Sequence, residues 1–247
     1  MLDYDAEADR YDETRGGVPR ARAAAEAVLR LVPPGARTLL DLACGTGLVT
    51  ERLGRPGLRV HGFDAAYGMA RKAAQRLPGR VALADARRLP LPDASVDAVS
   101  AVWLLHLVPF ADAIVAEAAR VLRPGGVLVV TVDKDGAHDV GSDIDRLLAP
   151  HRSYEHASDR ADRVEAYAAA HGLEPAGTTC FTGHGQGGTP RGTAEKLRRG
   201  SYASWFRGDA ETSAALTAAL AALPDQDGRR ADPEYRLTAY RRPVPRG

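Results

Sequence analysis

The sequence predicts an α/β fold built on a doubly wound, mostly parallel sheet of seven strands. Short apolar segments typical of buried strands alternate with amphipathic helices from residue 38 to residue 133. Alternation on this scale indicates parallel strands joined by helical crossovers. The 247 residues, 45% of them hydrophobic, suit a single domain with a full core. We therefore expect one domain over residues 1–247, with a last antiparallel strand and a small helical cap.

The first predicted strand, Thr38–Leu42, runs into a tight turn that contains Gly45 and Gly47. Glycines are needed where the backbone turns sharply and a ligand comes close. We expect a helix to begin at about Leu48, so that the N–H groups of the turn and of the helix start favour an anionic group. Such a turn forms the usual ligand crevice of an open parallel sheet.

The second predicted strand, Arg59–Phe63, ends in Asp64, whose carboxylate can accept both hydroxyls of a ribose. The last strand is expected to be an antiparallel hairpin partner at the sheet edge. The other predicted strands after the second are Val81–Ala84, Val96–Val102, Val127–Val132, residues 173–182 and Glu234–Tyr240.

Apolar residues at helical spacing predict the helices. Residues 1–17 are interpreted as an N-terminal lid, residues 36–133 as a cofactor-binding half, and residues 134–210 as insertions that form an acceptor pocket. The glycine-rich loop Gly183–Gly188 is interpreted as the rim of the site. The predicted helices are Pro19–Leu31, Pro109–Leu122, Ser142–Leu148, Ser158–Ala170, Thr193–Phe206 and Ala210–Leu223.

Five motifs, in this order and spacing, resemble those of class I S-adenosylmethionine-dependent methyltransferases of the small-molecule and quinone-methylating type. The resemblance covers residues 1–133, and Ala43 departs from it because the family more often has glycine there. The resemblance implies a Rossmann-like methyltransferase fold, S-adenosyl-L-methionine as cofactor and S-adenosyl-L-homocysteine as product. The motifs are Asp41–Gly47, Gly62-Phe63-Asp64, Ala84-Asp85-Ala86, Leu104–Leu107 and Leu122–Gly126.

The resemblance also implies which residues bind the cofactor. The turn after the first strand would meet the amino acid end, Asp64 the ribose and Asp85 the adenine amino group. Asp41 would hold the turn or reach the ammonium group through water. The cofactor-binding candidates are Tyr11, Arg15, Asp41, Ala43, Gly45, Gly47, Asp64, Ala65, Met69, Asp85, Ala86 and Ala101.

Direct displacement at the methyl group depends mainly on holding the nucleophile in line, and a base is needed only if the acceptor must lose a proton. The catalytic candidates are His106, Tyr11 and His184, although a histidine in the position of His106 is more often structural. The histidines lack a zinc-binding spacing, so no metal is expected. The basic residues of 190–207 form either a contact for an acidic acceptor or a solvated helix face.

We expect an enzyme that methylates an oxygen, nitrogen or carbon atom of a small molecule, in bacterial secondary metabolism or quinone-like chemistry. The net charge of +1 indicates no attraction to nucleic acid or membrane. The sparse cysteines fit the cytoplasm, and a monomer or a homodimer fits equally. The alternatives are an RNA or protein methyltransferase, or a protein that binds S-adenosylmethionine without transferring methyl. A nicotinamide dehydrogenase is disfavoured because Thr50 replaces its third glycine.

Overall fold

A computed structural model describes residues 4–245 as an α/β fold around one seven-stranded sheet. The strands are β1 (Thr38–Leu42), β2 (Arg59–Asp64), β3 (Val81–Leu83), β4 (Val96–Ala101), β5 (Leu122–Val132), β6 (Glu174–Thr182) and β7 (Glu234–Arg241). They lie in the order β3-β2-β1-β4-β5-β7-β6. Strands β1 to β5 are parallel, and β7 is antiparallel to both of its neighbours. The predicted fold class is confirmed.

Successive side chains of a strand point to opposite faces of the sheet. Both faces carry apolar side chains here, and helices cover both. Leu40 and Leu42 pack into one apolar core, whereas Leu39 packs into the other. Within residues 4–245, no helix has the length and apolarity needed to cross a bilayer. The helices are α1 (Tyr4–Glu7), α2 (Tyr11–Thr14), α3 (Gly17–Leu31), α4 (Tyr67–Arg76), α5 (Ala111–Val121), α6 (Asp143–Leu148), α7 (Ala161–Ala170), α8 (Pro190–Arg198) and α9 (Ala210–Ala221).

Strand β7 lies inside the sheet, so the prediction that it forms an edge hairpin is wrong. It pairs with β5 on one side and with β6 on the other, and residues 183–233 separate β6 from β7 in the chain. Leu237 and Ala239 of β7 are fully buried, whereas Phe181 is the one buried residue of β6. The apolar strand therefore takes the interior position, and the polar strand forms the edge.

The expected helix at Leu48 is also wrong. One turn of 3-10 helix, Thr50–Arg52, follows the glycine turn. Gly54 and the Pro56-Gly57 pair come directly after it and disfavour a longer helix. A ligand at this turn would consequently meet loop amides rather than the N-terminus of a regular helix.

Two other helices end earlier than predicted. The helix that begins at Pro190 ends at Arg198 rather than Phe206, because Gly200 takes a left-handed φ of 67°. Helix α5 ends at Val121, and β5 already begins at Leu122. The Pro124-Gly125-Gly126 motif interrupts the pairing of this strand: Leu122 pairs with Val96 and Val127 with Ala98, and Gly125 between them takes a left-handed φ of 83°.

A third apolar cluster forms the cap at the carboxyl end of the sheet. Two insertions build it, because α6 lies between β5 and β6 while α8 and α9 lie between β6 and β7. Ile144 of α6 packs with Leu197 of α8 and Leu220 of α9. The cap therefore extends beyond residue 210, the predicted end of the insertions.

The interior position of β7 can be tested by truncating one side chain in each of the last two strands. Leu237→Ala removes a fully buried side chain, and we expect the free energy of unfolding to fall by about 2–5 kcal/mol. Thr178→Ala, on the exposed edge strand, should cost less than about 0.5 kcal/mol. Urea unfolding measures both variants, and equal losses would contradict the strand order.

Candidate active site

The turn after β1 is held in a conformation that glycine favours. Gly45 and Gly47 have left-handed φ angles of 55° and 78°, and Ala43 also takes a positive φ, of 51°. A Cβ atom on Gly47 would lie 3.1 Å from Ala73 of α4, whereas one on Gly45 would meet nothing within 4 Å. Gly47 thus permits close packing of the turn on α4, and Gly45 faces open space where a ligand can approach.

Asp64 connects the end of β2 to this turn. Its Oδ2 accepts a hydrogen bond from the Gly45 N–H (2.8 Å), and its Oδ1 accepts one from the Ala66 N–H (2.8 Å). The carboxylate is 8% exposed, and burial raises its pKa despite these amide donors. Each oxygen keeps a lone pair that can accept a further hydrogen bond, for example from a ligand hydroxyl.

Asp41 is buried beneath the turn and holds it from below. Its Oδ2 accepts a hydrogen bond from the Thr50 hydroxyl (2.6 Å), and its Oδ1 accepts one from the Ser100 hydroxyl (2.7 Å). Burial raises the pKa of Asp41 to about 6, although the two hydroxyls oppose the shift. Of the two roles considered for Asp41, these contacts match that of holding the turn.

The candidates for the adenine side lie at the ends of β2 and β3. Asp85 is exposed and pairs with Arg87, whose side chain lowers the pKa of that carboxyl. Met69 is fully buried in α4, whereas Ala65 is exposed and Ala86 half-buried. Asp85 would have to share its carboxylate between Arg87 and an adenine amino group.

The N-terminal segment, residues 4–17, is docked on α4 and the turn. Residues 1–3 of the predicted lid lie outside the described residues. Asp5 accepts a hydrogen bond from the Gly68 N–H (2.6 Å), and Asp9 pairs with Lys72 (3.0 Å). The two oxygens of a third carboxylate, that of Asp12, accept hydrogen bonds from the Thr46 hydroxyl and the Arg76 guanidinium, each 2.5 Å long. Three carboxylates thus hold this segment at the side of the turn.

Aromatic side chains pack against one another just past the end of β4. Ala101 ends that strand and is fully buried. Trp103 follows it with a positive φ of 57°, and its ring packs edge-on against Phe181 and Tyr235. The guanidinium of Arg20 lies over the Trp103 ring, with its carbon 3.5 Å from the ring centre. A cation–π contact therefore connects α3 to the end of β4.

His106 lies on a 3-10 turn, Leu105–Leu107, just past β4. Its Nδ1 is buried and has no hydrogen-bond partner within the part of the chain described. Burial, together with nearby cations that include Lys134, lowers the pKa of His106 to about 3, so the ring is neutral near pH 7. A cavity of about 370 Å³ lies beside it, and Tyr154 and Ser158 are also among its lining residues.

The other catalytic candidates come from two segments that touch. Gly16 packs directly on the carbonyl of His184, because a Cβ at Gly16 would lie 2.2 Å from that oxygen. His184 is exposed in the glycine-rich loop. The Asp232 carboxylate holds this loop by accepting hydrogen bonds of 2.7–3.0 Å from three of its backbone N–H groups. Tyr11 is half-buried, and the Arg15 guanidinium lies 5.7 Å from its ring centre. No direct contact joins His106, Tyr11 and His184 within residues 4–245.

Sequence reasoning missed several residues that hold the site together. Thr50 was considered only as a departure from a dinucleotide-binding motif, yet it bonds Asp41. Arg20 lies four residues before Ala24, on the apolar stripe of α3, and a charge on such a stripe is the signal that could have identified it. Ser100 and Thr46 gave no signal, because small hydroxyl residues are common in strands and turns.

The fold and the cleft define an open α/β domain with its ligand crevice at the carboxyl ends of β1, β2 and β4. Residues 40–130 match the model of the methyltransferase domain family. These residues therefore form a methyltransferase domain.

Curated relatives agree with this assignment. An uncharacterized methyltransferase of Mycobacterium tuberculosis is 41% identical over 128 residues, which cover 51% of this chain and 50% of the relative. A demethylmenaquinone methyltransferase of Thermobifida fusca is 34% identical over 154 residues, which cover 59% and 64% of the two chains. The chain spans about half the length of the first curated relatives that it matches.

Solved structures share the fold over almost the whole chain. A putative methyltransferase from Bacillus halodurans superposes with a TM-score of 0.57 at 19% identity, covering 89% of this chain and 98% of the other. The [4+2]-cyclase SpnF superposes with a TM-score of 0.62 at 23% identity, covering 98% and 94%. At these identities the likeness shows the fold alone.

The raised pKa of Asp41 predicts how pH changes stability. Because the folded carboxyl (pKa about 6) binds its proton more tightly than the unfolded one (pKa 3.8), folding favours the protonated form. Lowering the pH from 7 to 4 should therefore stabilise the wild type relative to Asp41→Asn by about 2–3 kcal/mol. Urea unfolding of both proteins across this range measures the difference, and a constant difference would contradict the assignment.

The docking of the N-terminal segment can be tested by proteolysis. Asp12→Ala removes the acceptor for Thr46 and Arg76, so the segment should open more often. We expect trypsin to cleave after Arg10 and Arg15 about five- to tenfold faster, because cleavage follows the open population. Glu13→Ala, at an exposed neighbouring position, is the control; equal acceleration in both variants would contradict the proposed contact.

Proposed function

We propose that this protein binds S-adenosylmethionine in the cleft after β1 and transfers its methyl group to a small molecule. The observation that carries the proposal is the Asp64 carboxylate, which is bonded to the Gly45 amide while open space lies above Gly45. This arrangement supports the proposal, because a carboxylate able to accept ribose hydroxyls lies beside an accessible loop, at the carboxyl ends of parallel strands where such folds bind ligands.

The residues of the cleft fit the chemical parts of this cofactor. The glycine turn offers backbone groups to the amino acid end, and Asp64 has free lone pairs for the ribose hydroxyls. Ala65, Met69, Asp85 and Ala86 are assigned to the adenine, and Ala101 to the sulfur. S-adenosylmethionine, when bound, supplies an electrophilic methyl group on a positively charged sulfur. The docked N-terminal segment would cover the cleft and exclude water.

We assign His106 to orienting the acceptor. Its ring is neutral near pH 7, because burial lowers its pKa to about 3, so it can accept a hydrogen bond from an acceptor hydroxyl. Such a low pKa makes it a weak base, and in-line positioning would then supply most of the rate. Tyr11 and His184 are assigned to the walls of the acceptor pocket, where they would limit the approach of the nucleophile.

A small acceptor fits this cleft better than RNA does. The cavity beside His106, of about 370 Å³, lies in the range of small-molecule sites. The Thermobifida fusca relative is named a demethylmenaquinone methyltransferase, so demethylated quinols are the first acceptors to test.

The deciding experiment is calorimetric titration of S-adenosylmethionine and S-adenosylhomocysteine into the purified protein. We expect dissociation constants between about 1 and 100 μM, as for typical enzyme ligands. Acceptors with oxygen, nitrogen and carbon nucleophiles are then screened by release of S-adenosylhomocysteine. A folded protein that binds neither compound would overturn the proposal, whereas binding without turnover of any acceptor would favour a role without methyl transfer.

The ribose assignment predicts the effect of one substitution. Asp64→Ala removes a charged hydrogen-bond acceptor, so S-adenosylhomocysteine should bind at least about tenfold more weakly. Glu51→Ala alters a half-exposed carboxylate on the neighbouring 3-10 turn and should leave the affinity unchanged. Circular dichroism establishes that both variants are folded, and an unchanged affinity in Asp64→Ala would refute the ribose contact.

A further inference from the structure

Arg20 is a buried cation that forms no salt bridge with any residue the structure describes. It is 8% exposed, and its Nη1 donates a hydrogen bond to the carbonyl of Arg15 (2.7 Å). Its Nε is buried with no partner within residues 4–245. A buried charge is costly unless an opposite charge or hydrogen bonds compensate it. Stacking on Trp103 supplies only part of that compensation.

Two more cations, Arg15 and Lys196, lie near Arg20 or near each other. Arg15 adjoins Gly16, which packs on the glycine-rich loop, and that loop leads directly into the helix that carries Lys196. The Lys196 side chain is exposed, but partial desolvation of its amine, followed by the charges of the nearby Arg15, Lys134 and Arg229, lowers its pKa. Among the described residues, none of Arg15, Arg20 and Lys196 forms a salt bridge.

The nearby carboxylates do not neutralise this group. Asp135 pairs with Lys134 (2.8 Å), and Asp232 is bonded to three amides of the glycine-rich loop. Arg229, at the rim, donates to the carbonyls of Gly185 and Gly187. The region between the N-terminal segment and the cap therefore carries excess positive charge.

The cofactor side of the cleft carries acidic rather than basic side chains. Asp41 is buried beneath the turn, and Asp64 faces the assigned ribose. A cationic sulfonium suits this acidic side, whereas the basic side is formed by the N-terminal segment and the cap. The charges are thus divided between the proposed cofactor and acceptor sites.

We propose that Arg15, Arg20 and Lys196 bind an anionic group, a carboxylate or a phosphate, on the methyl acceptor. This inference rests on the proposed function, because it names the substrate class of that same cleft. Guanidinium and ammonium groups are the usual partners of such anions. Of the two interpretations of the basic run in residues 190–207, the proposal assigns the acceptor contact to Lys196, whose amine lies near Arg15, and the solvated face to Arg198.

The test is titration of benzoate, of its neutral analogue benzamide and of inorganic phosphate into the protein saturated with S-adenosylhomocysteine. We expect benzoate to bind at least about tenfold more tightly than benzamide, because charge-assisted hydrogen bonds favour the anion. Lys196→Gln should lower the affinity for benzoate and for phosphate about tenfold and leave the affinity for benzamide unchanged. Lys196 and Arg198 are both exposed on the same helix, so Arg198→Gln removes a comparable charge, and it should bind as the wild type does. Arg20→Gln should behave like Lys196→Gln, and the Lys196 variant suffices if Arg20→Gln does not fold.

Three outcomes would overturn the inference. One is that the anion gives no advantage: benzoate and benzamide bind equally, or neither benzoate nor phosphate binds at about 10 mM, a concentration that detects even weak sites. Another is an equal loss in Arg198→Gln. A third is that Lys196→Gln weakens S-adenosylhomocysteine but not methylthioadenosine, which lacks the carboxylate, because the cations would then bind the cofactor. If S-adenosylhomocysteine does not bind at all, the proposed function fails, and the same titrations on the free protein test the anion site separately.

Discussion

The Asp41 carboxylate accepts hydrogen bonds from Thr50 and Ser100 and so joins β1, the turn after it and β4 beneath the cleft. Because no regular helix follows the turn, this buried contact and the Asp64 bond to Gly45 fix its shape. The open space above Gly45 depends on that shape. A buried carboxylate with a raised pKa therefore lies at the point where the ligand crevice forms.

Electrostatics divides the cleft into two parts. Carboxylates hold the N-terminal segment and face the proposed ribose, whereas Arg15, Arg20 and Lys196 lie without salt bridges between that segment and the cap, among the residues described. A cationic cofactor and an anionic acceptor would each meet the complementary charge. In such an arrangement the same side chains that close the cleft also select what enters it.

Much of the fold could be predicted, because periodicity and glycine positions are local properties of the sequence. The alternation of strands and helices from residue 38 to residue 133 predicted the parallel sheet, and the glycine turn and the end of the second strand predicted Gly45 and Asp64 as site residues. The exchange of β6 and β7 was missed, because strand order depends on which strand buries more apolar surface. Arg20 was missed for a similar reason: its importance comes from Trp103, 83 positions later in the chain.

By itself, the sequence determined the class of fold, the cofactor-type turn and the family resemblance, since these follow from short motifs at fixed spacing. Only the tertiary structure decided which cations lie together, which carboxylates are already used and which face of the turn is open. Segments far apart in the chain, at Arg20, His106 and Lys196, contribute to one region through the packing of α3 and the cap on the sheet. Long-range packing of this kind leaves no local pattern in the sequence, because it depends on the summed contacts of the whole domain.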